Sequence, residues 1–259
     1  MKIGMPALFG FYRLEDNFAL AEALGFDFIE LNLNFSYCRR EIASGALEAL
    51  SGKYGKGLTL HFFDEGDFGT YEEVAESYFS LLKRYLPPAA AGGVKTLVAH
   101  LQKGPVVTIG GVRNYVYEGE FDEYISRLRG MLSRAERFCR EYGVTLALEN
   151  SETVPYMERV YEALAEDGFS FVFDIGHDEM CRNLPRSIFE RRNFSGVREF
   201  HIHDVRAQGG AKADHVSLGE GVVDVAYYKR IAERTGADCL LELKSAEDLR
   251  RSVAYFRAL

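Results

Sequence analysis

The sequence lacks any apolar run approaching the roughly 20 residues that a membrane span requires, which argues against a membrane protein. None of its 4 cysteines (Cys38, Cys139, Cys181 and Cys239) forms a Cys-x-x-Cys pair. That absence favours free thiols and a reducing, cytoplasmic setting. The opening Met-Lys-Ile-Gly-Met-Pro enters a strand-like segment at once and has no signal-peptide architecture. Positive charge is also scarce. Lys and Arg number 31 against 39 Asp and Glu, a net charge of −8, whereas binders of long phosphate backbones usually carry a basic face. This balance argues against nucleic acid as the main ligand. Two further absences concern architecture: no low-complexity linker divides the chain, and no Gly-x-Gly-x-x-Gly follows the first strand-like run. The first favours one domain over 1–259, and the second weighs against a dinucleotide-binding doubly wound sheet.

What the chain does contain is a regular alternation. Of its 259 residues 47% are apolar, enough for a sizeable core. Short runs rich in Ile, Val, Leu and Phe predict strands at 2–8, 27–33, 58–63, 96–101, 145–150, 169–176, 197–204 and 238–244. Amphipathic stretches between them predict helices at 17–24, 40–50, 71–85, 121–142, 154–165, 184–191, 225–234 and 246–256. Strands this uniformly apolar are parallel strands covered on both faces, and eight of them alternating with helices predict a single-domain α/β fold, a (β/α)8 TIM barrel. Pro87-Pro88 is expected to stop the third helix, and Gly25, Gly143, Gly168 and Gly236 to cap helices. The connections 102–120 and 205–223 are long and follow strands, so in a barrel both overhang the catalytic face.

All 6 histidines fall at expected strand ends or in the loops that follow them: His61, His100, His177, His201, His203 and His215. Glu149 and Glu242 interrupt apolar strands, where an unpaired charge costs several kcal/mol. Residues two apart share a strand face. If the strand ends point inward, Glu149, Asp174, His201 and Glu242 therefore meet at one rim. Three carboxylates and an imidazole form an oxygen-rich site for Mn, Mg or Co, with Zn also able to bind. His61, His100, His177 and His215 would add a nitrogen-rich ring better suited to zinc. Glu30, His177, His203, Lys244 and Arg206 are candidates for substrate contacts. Asp64, Glu65 and Asp67 read as a solvated acidic loop, and the four cysteines as packing residues.

Five segments in series resemble the xylose isomerase-like TIM barrels, a superfamily that includes sugar isomerases, sugar epimerases and endonuclease IV. They are Leu148-Glu149-Asn150, Asp174-Ile175-Gly176-His177, His201-Ile202-His203-Asp204, Asp214-His215-Val216-Ser217-Leu218-Gly219-Glu220-Gly221 and Leu241-Glu242. The resemblance implies that Glu149, Asp174, His201 and Glu242 hold a central divalent metal. It further implies that Glu149 and Glu242 act as the acid/base pair of an isomerase or epimerase working through an enediolate, with His177 near a substrate oxygen. The substrate expected is a small sugar, a sugar phosphate or a related hydroxy-carbonyl compound, and homo-oligomers pairing through outer helices occur among such barrels. The alternative is an endonuclease IV-like zinc phosphodiesterase acting on abasic DNA, using His61, His100, His177 and His215 as further ligands. That pattern calls for an Asp where this chain has Ala213, and the long loops offer few basic residues beyond Lys103, Arg113, Arg206 and Lys212.

Overall fold

In a computed structural model, which describes residues 1–208 and 211–259, the chain opens with β1 (Ile3–Pro6), α1 (Leu14–Leu24), β2 (Phe28–Asn32), α2 (Ser36–Ala43), α3 (Ala46–Tyr54) and β3 (Gly57–His61). It continues through α4 (Glu72–Ala91), β4 (Val94–Leu101), β5 (Val106–Ile109), β6 (Val112–Tyr115), α5 (Val116–Gly119), α6 (Phe121–Glu141) and β7 (Thr145–Asn150). Next come α7 (Met157–Glu166), β8 (Ser170–Asp174), α8 (Ile175–Met180), α9 (Leu184–Arg191) and β9 (Val197–Ile202). The chain finishes with β10 (Asp204–Gln208), β11 (Ala211–Val216), α10 (Val225–Thr235), β12 (Asp238–Leu241) and α11 (Ala246–Ala258).

Eight strands close into a parallel barrel in the order β1-β12-β9-β8-β7-β4-β3-β2, the expected (β/α)8 fold. Pairing of Ile3 with Cys239 and Gly4 with Leu240 joins the first barrel strand to the last. Most of the apolar core lies between strands and helices, where Phe18, Leu82, Leu132, Val160 and Phe256 are buried. Inside the barrel Val98, Ala147 and Val172 form a small cluster of their own. Each stands two residues before His100, Glu149 or Asp174 and shares its inward face. Along β4, β7 and β8 the inward face is thus apolar below and ionisable at the mouth.

Several boundaries differ from the sequence expectation, each for a local reason. The expected helix over 40–50 is two helices, because Gly45 takes a left-handed conformation (φ 77) between α2 and α3. Pro87 and Pro88 do not stop α4, which runs on to Ala91. A proline φ suits a helix, its cost is the lost N–H bond and the clash one turn back, and Leu86 and Ala89 are fully buried in the core beside it. The expected strand over 169–176 ends at Asp174, which caps α8 by accepting a hydrogen bond from the His177 amide at 2.6 Å. The two long loops carry antiparallel hairpins, β5–β6 and β10–β11. Among the described residues no helix is long and apolar enough to cross a membrane.

Candidate metal centre

The strand ends converge as the period-2 argument requires. One ligand atom each from Glu149, Asp174, His201 and Glu242 lies within 4.8 Å of the others, and all four residues are buried. His201 Nδ1 is 3.1 Å from Glu149 Oε1 and 3.3 Å from Glu242 Oε2, so one ring nitrogen faces both glutamates. Asp174 is clamped from β7: Asn150 Nδ2 donates to its carbonyl at 2.8 Å, and its own amide donates to Asn150 Oδ1 at 2.9 Å. Gathering three buried carboxylates around one imidazole is costly unless a cation compensates them, and Glu242 Oε2 has no hydrogen-bond partner among the described residues. This donor set fits a divalent metal of the harder kind.

Without a metal, protons do the compensating. Burial opposes ionisation of Glu149, but the imidazoles of His201 and His100 outweigh it and hold the carboxyl well below its usual range. Glu242 behaves likewise, with Lys244 and His215 overcoming burial. Burial also works against protonating the histidines, yet the surrounding carboxylates raise His61 to about 10 and His215 to about 9, and push His201 well upward.

The remaining expected residues divide into two groups. His61, His100 and Glu149 form a second potential ligand set, with His61 Nε2 3.2 Å and His100 Nε2 3.5 Å from Glu149 Oε2. His177, His203 and His215 form a third. Within it His203 is fully buried and stacks on His215, ring centres 4.0 Å apart. The His215 amide donates to His203 Nδ1 at 2.9 Å, which leaves Nε2 to donate to Asp174 Oδ1 at 3.0 Å. With both nitrogens engaged, His203 stands behind Asp174 and offers no atom to a substrate. Reaching this arrangement puts His215 at φ 51, uncommon for a residue with a side chain. Where the resemblance wants an Asp, Ala213 stays without ligand chemistry, and Asp214 instead pairs with His215 Nδ1 at 3.3 Å.

Of the other substrate candidates, Lys244 Nζ bonds Glu242 Oε1 at 2.6 Å and lines a small cavity with Glu30, Asn32, Phe9 and Phe35. On the other side a cavity of about 290 Å³ is lined by His100, Ser151, His177, Met180, Cys181 and Asp214. Arg206 pairs with Glu220. Lys103 and Lys212 are likewise neutralised, by Glu152 and Glu179.

Sequence reasoning passed over three residues. Asn150 clamps Asp174. Asp204 gathers the amides of Val205, Gly219, Gly221 and Val223, fixing the loop after β11. Glu199 lies buried under His201. The first two stood inside the quoted motifs, and Glu199 could have been found by the same two-residue spacing that linked His201 to His203.

A closed eight-stranded barrel whose mouth collects these carboxylates and imidazoles defines a class: the chain belongs to the xylose isomerase-like TIM barrel family, which it matches over residues 18–259. No curated protein matches the sequence. Among solved structures it is similar to a D-tagatose 3-epimerase-like protein at 18% identity and a TM-score of 0.81, covering 100% of this chain and 96% of that one. It is similar to the 3-keto-D-glucoside 4-epimerase YcjR from E. coli at 17% identity and TM-score 0.77, covering 100% of both chains. The IolI protein with a bound zinc atom matches at 16% identity and TM-score 0.75, over 100% of this chain and 97% of that one. At these identities the likeness establishes the shared fold.

Proposed function

We propose that the protein is a metal-dependent isomerase or epimerase of a small sugar, sugar phosphate or related hydroxy-carbonyl compound. The observation that carries this reading is the pair of buried glutamates, Glu149 from β7 and Glu242 from the end of β12, facing one nitrogen of His201 at 3.1 and 3.3 Å. Two carboxylates so placed can divide the work of moving a proton beside a carbonyl. One removes it, and the other returns it to the opposite face or to the neighbouring carbon. Glu149, Asp174, His201 and Glu242 would hold the metal, which supplies polarisation of the substrate carbonyl and stabilises the charge left when the proton departs. His177 and Lys244 border the two cavities beside these carboxylates and would position substrate oxygens. Two structural neighbours, a D-tagatose 3-epimerase-like protein and the 3-keto-D-glucoside 4-epimerase YcjR, support the substrate class. Zinc bound by IolI supports a divalent metal, with Mn, Co and Mg as the alternatives its oxygen-rich donors admit.

The endonuclease IV-like reading has one observation in its favour: four potential ligand sets, two of them sharing Glu149 and two sharing His201. Against it, the acidic loop reaches the site, with the Asp64 carbonyl 3.2 Å from His100 Nδ1, and the basic residues Lys103, Arg206 and Lys212 are each paired with a glutamate.

Metal-loaded protein incubated with ketoses and their phosphates in D2O should epimerise or isomerise at least one, with solvent deuterium entering at the reacting carbon. Glu149→Gln and Glu242→Gln should each lower turnover by about 10²–10⁴-fold while circular dichroism stays unchanged. Full activity in either variant would sink the acid/base assignment.

A further inference from the structure

Along β9 and the residue just past its end three ionisable residues stand two apart: Glu199, His201 and His203. The mouth-facing nitrogen of His201, Nδ1, serves the central site. Its other nitrogen, Nε2, points down the barrel, 3.3 Å from Glu199 Oε1 and 3.5 Å from Glu30 Oε2. None of His201 Nε2, Glu199 Oε1 and Glu30 Oε2 has a hydrogen-bond partner among the described residues, and all three residues are at most 3% exposed. Buried polar atoms without partners are rare enough to require an explanation.

Glu30, Glu199 and His201 could be read as a second, deeper cation site. One imidazole cannot serve both. A neutral ring has a single free lone pair, so a cation on Nε2 would put the proton on Nδ1 and remove the only imidazole from the central donor set. The reverse assignment keeps the imidazole in the central donor set: the lone pair sits at Nδ1, the proton at Nε2, and one of the two carboxylates receives it.

We propose that Glu199 is the positioning residue of His201, accepting its Nε2 proton and so holding the Nδ1 lone pair toward Glu149 and Glu242. This rests on the metal-site reading above. Glu199 is chosen over Glu30 on two grounds. It is nearer, and it lies on the same strand two residues below the ring, whereas Glu30 also lines the small cavity beside Lys244. A carboxylate behind a metal-bound histidine fixes the ring's tautomer and orientation and strengthens it as a ligand.

The test is Zn²⁺ affinity, measured by competition with a chromophoric chelator on the full chain and its variants. Glu199→Leu should weaken the central site about 10–100-fold. Glu199→Gln, whose amide oxygen still accepts the proton, should bind within about threefold of the native chain, a margin well under the effect expected of a lost second-shell partner. In ¹⁵N spectra of the Zn²⁺-loaded native protein, His201 should carry its proton on Nε2, and that resonance should shift in Glu199→Gln, a readout that stands should the leucine variant not fold. Leucine binding as tightly as glutamate, glutamine failing as badly as leucine, or a proton on Nδ1 would each overturn the proposal. If the native chain binds no Zn²⁺ while the apoprotein is folded, the metal reading itself fails and takes this one with it.

Discussion

Gly176 is pinned by its neighbour. A Cβ at this position would lie 2.0 Å from Cε1 of His203, and that ring cannot retreat, because Asp174 holds one nitrogen and the His215 amide the other. Gly176→Ala should therefore destabilise the fold by about 1–3 kcal/mol, as overpacking does, lowering the melting temperature by roughly 2–4 °C per kcal/mol. An unchanged melting curve would mean that His203 is free to move. Single residues were legible to unequal degrees. Glu149 and Glu242 stood out because a charge in an apolar strand demands compensation. The place of His203 could not be read from the sequence, since two histidines on one strand face look alike until the residues behind them are known.

At the scale of elements, Asp178 ties three helices together. It stands in α8, accepts the Arg186 amide in the first turn of α9 at 2.7 Å, and accepts the Tyr228 hydroxyl of α10 at 3.2 Å. Burial raises its carboxyl to about 7 in spite of these donors. A raised carboxyl favours the protonated fold. Its contribution is complete below the ordinary aspartate range near pH 4 and is lost as pH climbs through about 7. In metal-free protein, Asp178→Asn should thus gain stability relative to the native chain between about pH 4 and 8, followed by thermal melts. A gap between the two that does not change with pH would remove Asp178 as a titrating group. The barrel strands were legible because both their faces are covered and they read as unbroken apolar runs. The hairpins were not: Val107, Ile109 and Val112 are exposed, so β5 and β6 carry no burial pattern to betray them. The short helix α8 was absorbed into the strand before it, because apolar Ile175 follows Phe171-Val172-Phe173 across the single polar residue, Asp174, that caps the helix.

For the whole molecule, the metal-free charge balance links ion uptake to pH. His61, His201 and His215 hold protons through carboxylates that a metal would claim. Metal binding should therefore release protons and tighten as pH rises toward about 9–10. Titration calorimetry in buffers of different ionisation enthalpy measures that release, and a value of zero would contradict it. The same groups make the metal-free fold pH-sensitive. Imidazoles raised above their ordinary range contribute stability that is full below about pH 6.5 and lost as pH rises through about 9–10. The melting-temperature gap between loaded and chelated protein should widen over that interval.

The seam between β1 and β12 gives assembly a direction in time. The first barrel strand keeps an unpaired edge until the last one has been made, because its partners on that side are Cys239 and Leu240. None of the central donors precedes Glu149, and Glu242 comes just after the closing strand. On the ribosome, a growing chain therefore has His61 and His100 well before it has Glu149, the carboxylate they share. An ion captured by the full central set would act as a latch on a closed barrel, since the growing chain lacks that set until the closing strand has emerged.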